Sequence, residues 1–319
     1  MSAIKTVALG KNPLKFTNFG LGTAPLTNPS GSVSEADAQA TMQAALDNGI
    51  RLFDTAPLYG LGTSEERVGR GLQGVPRDSF VLSTKVGRIL NEDRTGFVYD
   101  YSRDGVLRSI EQSLKRLNLD RIDIVLIHDP DADQVDHEKE AIDIAFPALA
   151  ELRSQGVIKA IGAGMNQWQM LERFVRYADP DVFLLAGRYT LLEQTSLNFL
   201  KLCHEKGVGI FLGGVYNSGI LATGPQPGAK YNYVAAPEPI LAKTRAIQAV
   251  CDRYNVPLNV AALQFARSHP AVSALVVGAV KPGEVETNIR SLAMPIPAAL
   301  WQEIREQGLV EGDAPLPTE

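Results

Sequence analysis

The chain has 319 residues, of which 45% are hydrophobic and 21% charged, so it is long and apolar enough to bury a large core. Its net charge of -5 offers no basic stripe to a nucleic-acid backbone, and no apolar run is long enough to span a membrane. The start MSAIKTVALGKNPLKF lacks the apolar core of an export signal, and two cysteines are too few for a disulfide framework. We therefore expect a cytoplasmic protein with free thiols at Cys203 and Cys251 and without nucleic-acid or membrane partners.

Short β-rich runs alternate with longer helical patterns along nearly the whole chain, which predicts parallel strands joined by crossover helices. A hairpin is predicted at residues 6–16. Strands are predicted at residues 19–21, 52–53, 80–83, 122–127, 160–161, 182–185, 209–212 and 274–277. Helices are predicted at residues 34–48, 102–117, 140–155, 167–177, 196–206, 240–254, 259–267 and 284–292, with a tail helix at 298–306.

This number of strand-helix units predicts an α/β fold of the (β/α)8 TIM barrel type, with an N-terminal β-hairpin, a C-terminal extra helix and a single domain over residues 1–319. A doubly wound sheet would normally carry a G-x-G-x-x-G loop after its first strand. Gly20, Gly22 and Thr23 lack that spacing. The Pro-rich segment 216–239 is expected to form a loop over the barrel mouth.

Catalytic groups of such a barrel lie at the carboxyl ends of its strands, so the first polar residue after each apolar run is a candidate. Asp54 ends the second strand in RLFDTAPLYG, and Tyr59 follows in the next loop. Lys85 ends the third strand in FVLSTKVG, and His128 ends the fourth in IDIVLIHDP. We expect all four side chains to converge on one mouth.

These residue types suit proton transfer. A phenol with an ordinary pKa near ~10 is a poor acid or base at neutral pH, and a neighbouring ammonium favours its charged form. Lys85 is expected to lower the pKa of Tyr59 in this way, while Asp54 holds the ammonium. His128 is expected to orient a substrate oxygen. Each residue alone has a structural alternative as a helix cap, a loop charge, a packed ring or a hydrogen-bonded histidine, and their shared order favours a site.

The motifs resemble the aldo-keto reductase superfamily, in which Asp, Tyr, Lys and His form a catalytic tetrad in that order. The resemblance extends from GLGTAPL through FDTAPLYGLGTSEERVGRGL, SLKRLNLDRIDIVLIHDP and IGAGMNQ to VGAVKPGEVETNI. Within the superfamily the chain looks most similar to the L-fucose and D-threo-aldose 1-dehydrogenases, with pyridoxal 4-dehydrogenases close by.

The resemblance implies an oxidoreductase that uses NAD or NADP to oxidise the anomeric carbon of an aldose to the lactone, with Tyr59 taking the hydroxyl proton. A pyridoxal 4-dehydrogenase and a general aldehyde reductase are the alternatives among enzymes. A nucleotide-binding regulatory subunit, as among the potassium-channel β subunits of the superfamily, is the alternative outside them. Members occur as monomers and as homo-oligomers, and the sequence leaves that choice open.

The resemblance also assigns residues to the cofactor. Asn166 is expected at the nicotinamide carboxamide, although Met165 and Ala186 stand where the family usually has Ser and Gln. Tyr216 is expected to stack on the nicotinamide ring. Further cofactor contacts are expected at Thr23, Gly278, Ala279, Lys281, Glu284 and Asn288. Because Glu284 stands where NADP-preferring relatives have a cation, NAD is expected over NADP, with Lys281 acting in the opposite direction.

Substrate contacts are expected at three further residues of the mouth, namely Asp129, Arg188 and Asn217. The acidic run from His128 to His137 has no regular ligand spacing, and its part at residues 131–138 is interpreted as a solvated loop. No metal is therefore expected, and the partner is expected to be a small sugar or aldehyde.

Overall fold

The structure, a computed structural model, describes residues 4–27, 33–131 and 136–318. Eight parallel strands close into a barrel in which each strand pairs with the next one along the chain and the eighth pairs with the first. Their bounds are Phe19–Gly22, Leu52–Asp54, Val81–Val86, Ile124–His128, Ala160–Met165, Val182–Ala186, Gly209–Gly213 and Val272–Gly278. The predicted barrel and each of its predicted strands are confirmed.

The predicted helices are also present, each ending close to its expected residues. The longer helices are Glu35–Asp47, Thr63–Gly71, Arg103–Leu117, Phe146–Ser154, Trp168–Tyr177, Leu197–Lys206, Glu238–Arg253, Leu258–Ala266, Pro282–Ala293 and Ala298–Glu306. The segment predicted as one helix at 140–155 is a composite, because a π-helical turn at Ala141–Ala145 follows a short helix at Glu138–Glu140. Short 3-10 turns lie at Ala24–Thr27 and Arg77–Ser79.

The alternation of side chains along the strands divides the core into two layers. Leu52 packs inside the barrel, whereas its neighbour Phe53 packs outside against the helices. The inner layer consists of Leu9, Phe16, Leu52, Val81, Ile124, Leu126, Ala160, Val182, Leu184, Phe211, Ala274 and Val276. A residue two positions beyond an inner apolar residue therefore also faces the barrel axis.

The amino-terminal hairpin, formed by Thr6–Leu9 and Asn12–Thr17, confirms the prediction for this segment. Leu9 and Phe16 belong to the inner layer. The rings of Phe16 and Phe211 meet edge to face, with centroids 5.2 Å apart. The hairpin thus plugs the amino end of the barrel and leaves the carboxyl end as the open mouth.

The outer helix Thr63–Gly71 was missed by the sequence pattern. Val68 is the one large apolar side chain on its buried face, so the stripe that normally marks an amphipathic helix is weak. Gly69 brings the helix close to its neighbour, since a Cβ there would lie 2.1 Å from the carbonyl oxygen of Leu117. The fully buried Glu65 stabilises the contact through an ion pair instead of apolar packing.

Two small hairpins lie near the mouth. One follows the third barrel strand, and the other belongs to the segment predicted as a loop at 216–239, which also contains a short helix. The bounds are Arg88–Leu90 with Phe97–Tyr99, Lys230–Tyr231 with Val234–Ala235, and Ile220–Thr223 for the helix. The segment 216–239 therefore contains regular structure, contrary to the expectation of a plain loop.

Cys203 and Cys251 are buried free thiols, as expected. Among the residues that the structure describes, no helix is long and apolar enough to cross a membrane.

Candidate active site

The period of two along the strands brings three predicted residues to the inner face of the mouth. Asp54 follows Leu52 by two positions, and His128 follows Leu126 in the same way. Lys85 occupies the corresponding inner position of the third strand. Asp54, Lys85 and His128 are 2%, 1% and 5% exposed. Polar groups buried to this degree require partners within the site.

Lys85 and Asp54 form the predicted ion pair. The Lys85 Nζ donates to Oδ2 of Asp54 at 2.8 Å, to Oδ1 at 3.0 Å and to the carbonyl of Thr55 at 2.8 Å. Burial lowers the pKa of Lys85, but the Asp54 carboxylate and the Tyr59 hydroxyl together outweigh burial and leave that pKa above its ordinary value of 10.5. Lys85 is therefore a fixed ammonium at neutral pH.

Tyr59 lies in the loop that joins the second barrel strand to the helix Thr63–Gly71. Its carbonyl accepts a hydrogen bond from the Ser64 N–H at 3.2 Å, which ties the loop to the start of that helix. Nζ of Lys85 is 4.8 Å from the centre of the Tyr59 ring, and the rings of Tyr59 and His128 meet edge to face at 5.8 Å. The structure therefore brings all four predicted catalytic residues together.

The pKa of Tyr59 differs from the sequence-based expectation. Burial raises this pKa above 10.0, and the Lys85 ammonium offsets only part of the rise. The negative charges of Asp54 and Asp129 act in the same direction as burial. The expected lowering was therefore wrong in its net sign, although Lys85 does act as expected. Tyr59 is a neutral phenol at pH 7.

His128 is a neutral imidazole. Burial and the positive charges of Lys85 and Arg88 hold its pKa well below 6.5. Its Nδ1 is buried and has no hydrogen-bond partner among the described residues, and its Nε2 lies 3.6 Å from Oδ2 of Asp129. A neutral ring has one N–H donor and one acceptor nitrogen, so it can bond a substrate oxygen without bringing a charge.

Thr23 is placed differently from its expected cofactor contact. It is fully buried, and its hydroxyl donates to the Asp54 carbonyl at 2.9 Å and contacts the Ser64 hydroxyl at 2.7 Å. Its backbone N–H donates to the same carbonyl at 3.0 Å. Thr23 therefore holds the strand end that carries Asp54, and it has no exposed surface for a cofactor to touch.

A cavity of about 640 Å³ lies at the end of the eighth strand, beside the helix Pro282–Ala293. Its lining includes Tyr216, Gly278, Lys281, Glu284 and Asn288, which are predicted cofactor residues. The Tyr216 hydroxyl donates to Oδ1 of Asn288 at 2.7 Å and fixes the ring against that helix. Ala279 is buried in the same loop. A concave site of this size suits part of a nucleotide.

Glu284 lies in the first turn of the same helix. Its carboxylate accepts a hydrogen bond from the Val280 N–H at 2.8 Å, which places a negative charge where the helix dipole is positive. Lys281 is exposed at the helix start and supplies the opposite charge. The net field at this end of the cavity therefore depends on both side chains.

The carboxamide side of the predicted cofactor site carries fewer polar groups. Asn166 directly follows the fifth strand and is half-buried. Ala186 ends the sixth strand, so that strand end offers no side-chain amide. Of the side chains considered for the nicotinamide carboxamide, Asn166 is the one that remains as a predicted contact.

All three predicted substrate residues are engaged with the protein, and two of them bond neighbouring loops of the mouth. The Asn217 side chain accepts a hydrogen bond from the Thr190 hydroxyl and donates to the Gly187 carbonyl at 3.2 Å, and the residue is only 2% exposed. Arg188 donates from Nη1 to Oδ1 of Asn232 at 2.9 Å. These bonds tie the loops of the mouth to one another.

The third predicted substrate residue, Asp129, forms an ion pair with Arg88. Nη2 of Arg88 donates to Oδ2 of Asp129 at 3.0 Å. Burial raises the pKa of Asp129 to about 6, against the opposing charge of Arg88. Sequence reasoning missed Arg88 as a site residue. The short β-rich runs RIL and FVY on either side of a turn were the signal for the hairpin that carries it.

Within the described ranges 4–27, 33–131 and 136–318, no group of three or more His, Cys, Asp or Glu is arranged to hold a metal. Residues 132–135 of the acidic run lie outside those ranges, as do residues 28–32.

The aldo/keto reductase family model matches residues 18–308, a range that contains all four residues gathered at the mouth. The chain belongs to the aldo/keto reductase family. Enzymes of this family are oxidoreductases that use nicotinamide cofactors.

Known relatives of this aldo/keto reductase include two dehydrogenases. It is 41% identical over 312 residues to D-threo-aldose 1-dehydrogenase of a Pseudomonas species, across 92% of this chain and 94% of that protein. It is 39% identical to pyridoxal 4-dehydrogenase of Microbacterium luteolum, across 97% and 99% of the two chains. The holo form of an aldo-keto reductase from Bacillus halodurans superposes with a TM-score of 0.80 at 26% identity, covering 98% of each chain.

Proposed function

We propose that this aldo/keto reductase is an aldose 1-dehydrogenase, which oxidises the anomeric carbon of an aldose such as L-fucose or a D-threo-aldose to the lactone. The observation that carries the proposal is the position of the Tyr59 phenol, flanked by the buried Lys85 ammonium and the neutral His128 ring. This arrangement suits proton transfer at a substrate oxygen. The nicotinamide supplies the hydride acceptor when it is bound.

The oxidation removes two hydrogens from the anomeric centre. The C–H hydrogen leaves as a hydride, the hydroxyl proton passes to the Tyr59 phenolate, and the C–O bond becomes a carbonyl. Lys85 stabilises the phenolate that accepts the proton, while Asp54 keeps the ammonium in place. His128 holds the reacting oxygen as an uncharged hydrogen-bond partner. Because burial raises the pKa of Tyr59, oxidation should accelerate as the pH rises through the alkaline range.

For the cofactor, we propose that Asn166 bonds the nicotinamide carboxamide and that Tyr216 packs against the ring. The backbone of Gly278 and Ala279 and the start of the following helix would hold the diphosphate. Asn288 would contact the adenine. The cavity beside that helix and the hydrogen bond between Tyr216 and Asn288 support this assignment.

We propose NAD over NADP. The Glu284 carboxylate lies at the cavity and is held there by the Val280 N–H, so it would repel a phosphate added to the nearby ribose and can accept a bond from a free ribose hydroxyl. Lys281 supplies an opposing positive charge, which sets how strong the preference is.

Pyridoxal is the second candidate substrate, because the pyridoxal 4-dehydrogenase relative matches nearly the full length of both chains. The two candidates share one chemistry. Pyridoxal closes onto its own hydroxymethyl group as a cyclic hemiacetal, and its oxidation at that carbon also gives a lactone. The Tyr59 and His128 roles are the same for either substrate, and an aldehyde reductase would use them in reverse.

We also propose a cytoplasmic location, since both cysteines are buried thiols, as a reducing compartment would maintain them.

The test combines the purified protein with NAD or NADP and a panel of L-fucose, D-arabinose, L-galactose, pyridoxal and simple alcohols, and follows the absorbance of the reduced nicotinamide. Two matched variants accompany the wild type. Tyr59→Phe removes the phenol at the mouth, and Tyr177→Phe removes one that is 68% exposed at the end of an outer helix.

Turnover of aldoses with NAD that is lost in Tyr59→Phe and kept in Tyr177→Phe would support the proposal. Turnover confined to pyridoxal would keep the mechanism and replace the substrate. Cofactor binding without turnover in this panel or in a reverse aldehyde panel would favour a nucleotide-binding regulatory subunit instead.

A further inference from the structure

We propose that Arg88 and Asp129 form a substrate subsite that recognises a hydroxyl on the carbon next to the reacting one, with Asp129 as the contact and Arg88 as its positioning residue. The inference deepens the proposed function and rests on it for the identity of the substrate. Arg88 and Asp129 also act through their charges on the pKa values of His128 and Tyr59, and the contact with a substrate hydroxyl is a separate role.

The backbone conformation of Asp129 directs its side chain toward the mouth. Its φ of 36° lies in the left-handed region, which Asp and Asn adopt more readily than other non-glycine residues. Its N–H donates to the Gly164 carbonyl at 3.1 Å, and the Tyr101 hydroxyl donates to the preceding carbonyl, that of His128, at 3.0 Å. The loop therefore turns immediately after the fourth strand and directs the carboxylate toward the catalytic imidazole.

Arg88 is built into the wall of the mouth. Its side chain is 8% exposed, and its guanidinium lies 5.5 Å from the ring centres of both Phe97 and Tyr99. Its Nη2 donates to Asp129, whereas its buried Nε has no acceptor among the described residues. An aromatic cage thus holds a cation that fixes one oxygen of Asp129 and has donor capacity left over.

The position of the Arg88–Asp129 pair relative to His128 defines which part of the substrate the pair can contact. Oδ2 of Asp129 lies 3.6 Å from Nε2 of His128. A substrate oxygen held by His128 therefore brings the substituent of the adjacent carbon next to the Asp129 carboxylate. A hydroxyl there can donate to the Asp129 carboxylate that Arg88 holds in place, whereas a C–H at the same position leaves this half-buried carboxylate short of a partner.

The charges around Asp129 support its ionised form at neutral pH. Burial raises its pKa to about 6, and the positive charges of Arg88 and Lys85 oppose that rise, while Asp131 adds to it. The titratable groups that face the pair are Tyr59, Lys85, His128, Asp131, Tyr99 and Tyr101. Loss of the Arg88 charge should therefore move the protonation of Asp129 to higher pH.

The first test compares kcat/KM for an aldose and for its 2-deoxy analogue. We expect wild type to favour the aldose by about 10- to 100-fold, the range for a hydrogen bond to a charged group. Asp129→Asn keeps the shape and tolerates the left-handed backbone, and Arg88→Met keeps the apolar stem between the aromatic rings. Both variants should bring the ratio close to one. Arg88→Lys, which restores the charge, should recover part of it.

The control is Arg94→Gln, in the turn of the same hairpin, where the arginine pairs with Glu66 on the surface. It should keep the wild-type ratio. The acid side of the kcat/KM profile for the aldose should fall near pH 6 in wild type. It should move upward in Arg88→Met and disappear in Asp129→Asn. The second result assigns the acid limb to Asp129 and not to His128, whose pKa the Arg88 charge also lowers.

A second pair of substrates separates this inference from the proposed function. Lactaldehyde and propanal differ by the adjacent hydroxyl and are tested in the reductive direction. If aldoses fail but lactaldehyde is preferred to propanal in an Arg88-dependent way, the proposed function is wrong and the subsite holds. If wild type treats both members of each pair alike, the subsite is overturned whatever the substrate.

A readout without turnover completes the test. In the protein loaded with reduced nicotinamide cofactor, which cannot accept a hydride from the aldose, and labelled with carboxyl-13C aspartate, the NMR signal of Asp129 is assigned with Asp129→Asn. The aldose should shift this signal, and the 2-deoxy analogue should leave it in place. Equal responses to both sugars, or an unchanged Asp129 titration in Arg88→Met, would contradict the proposal.

Discussion

Replacing Lys85 with Met should destabilise the protein, because it removes a charge and leaves its buried partner unpaired. Lys85 and Asp54 are 1% and 2% exposed, and the ammonium also bonds the Thr55 carbonyl. Breaking a buried ion pair on one side costs about 3–5 kcal/mol. With an unfolding entropy of about 2.1 cal/mol/K for each of the 319 residues, that loss lowers Tm by about 4–8 °C.

The assay is thermal unfolding of wild type, Lys85→Met, Asp54→Asn and the double variant. The double variant replaces both charges with neutral groups of similar size, so its Tm should lie closer to wild type than that of Lys85→Met. The deficit of Lys85→Met should shrink as the pH falls, since an unpaired buried carboxylate then takes up a proton. Lys115→Met, at an exposed pair with Glu111, is the matched control and should leave Tm unchanged.

Two results would contradict this prediction: Lys85→Met unfolding within about 1 °C of wild type, or effects of the two single variants that simply add. Either result would mean that the pair is not buried and mutually dependent as the structure has it.

Other substitutions probe neighbouring features. The pKa of His128 is held well below 6.5 in the folded state, so the unfolded chain binds a proton at this residue first as the pH falls. The free energy of unfolding should therefore fall as the pH drops below about 6.5, and it should fall less steeply in His128→Gln. Measuring Tm against pH tests this. Glu284→Gln keeps an acceptor for the Val280 N–H and removes the charge, so it should lower the NAD to NADP affinity ratio by about tenfold, or about 1.4 kcal/mol, in fluorescence titrations. Gly87→Ala should lose about 1–3 kcal/mol in urea unfolding, since its φ is 102° and a Cβ would lie 2.1 Å from the Tyr101 ring. An unchanged value in any of these assays counts against the corresponding contact.

The barrel and the convergence of its site were predictable because parallel strands have a simple periodicity. Apolar runs marked the strands. A polar residue at the end of a run faces the barrel axis when it lies two positions after an inner apolar residue, as Asp54 and His128 do. Residue order along the chain then sufficed to place the tetrad at one mouth. Strand ends and helix ends are local properties, and local sequence predicts them.

Features that depend on distant contacts were not predictable. The helix Thr63–Gly71 is stabilised by close packing and by a buried ion pair of Glu65, neither of which leaves an apolar stripe. In the sequence, Arg88 cannot be told from an exposed loop charge, because its contact with Asp129 exists only in the folded hairpin. The sign of the Tyr59 pKa shift depends on how completely the mouth excludes water, which is a property of the assembled barrel.

The central claim is that Tyr59 exchanges the proton of the substrate hydroxyl. The most direct test is the single-turnover rate of nicotinamide reduction by an aldose, measured against pH in wild type and Tyr59→Phe. We expect a wild-type rate that rises with pH through the alkaline range, because burial raises the pKa of the phenol. In the variant we expect a rate that is about 100- to 10,000-fold lower and independent of pH. A variant rate within a few-fold of wild type, with the same dependence on pH, would contradict it.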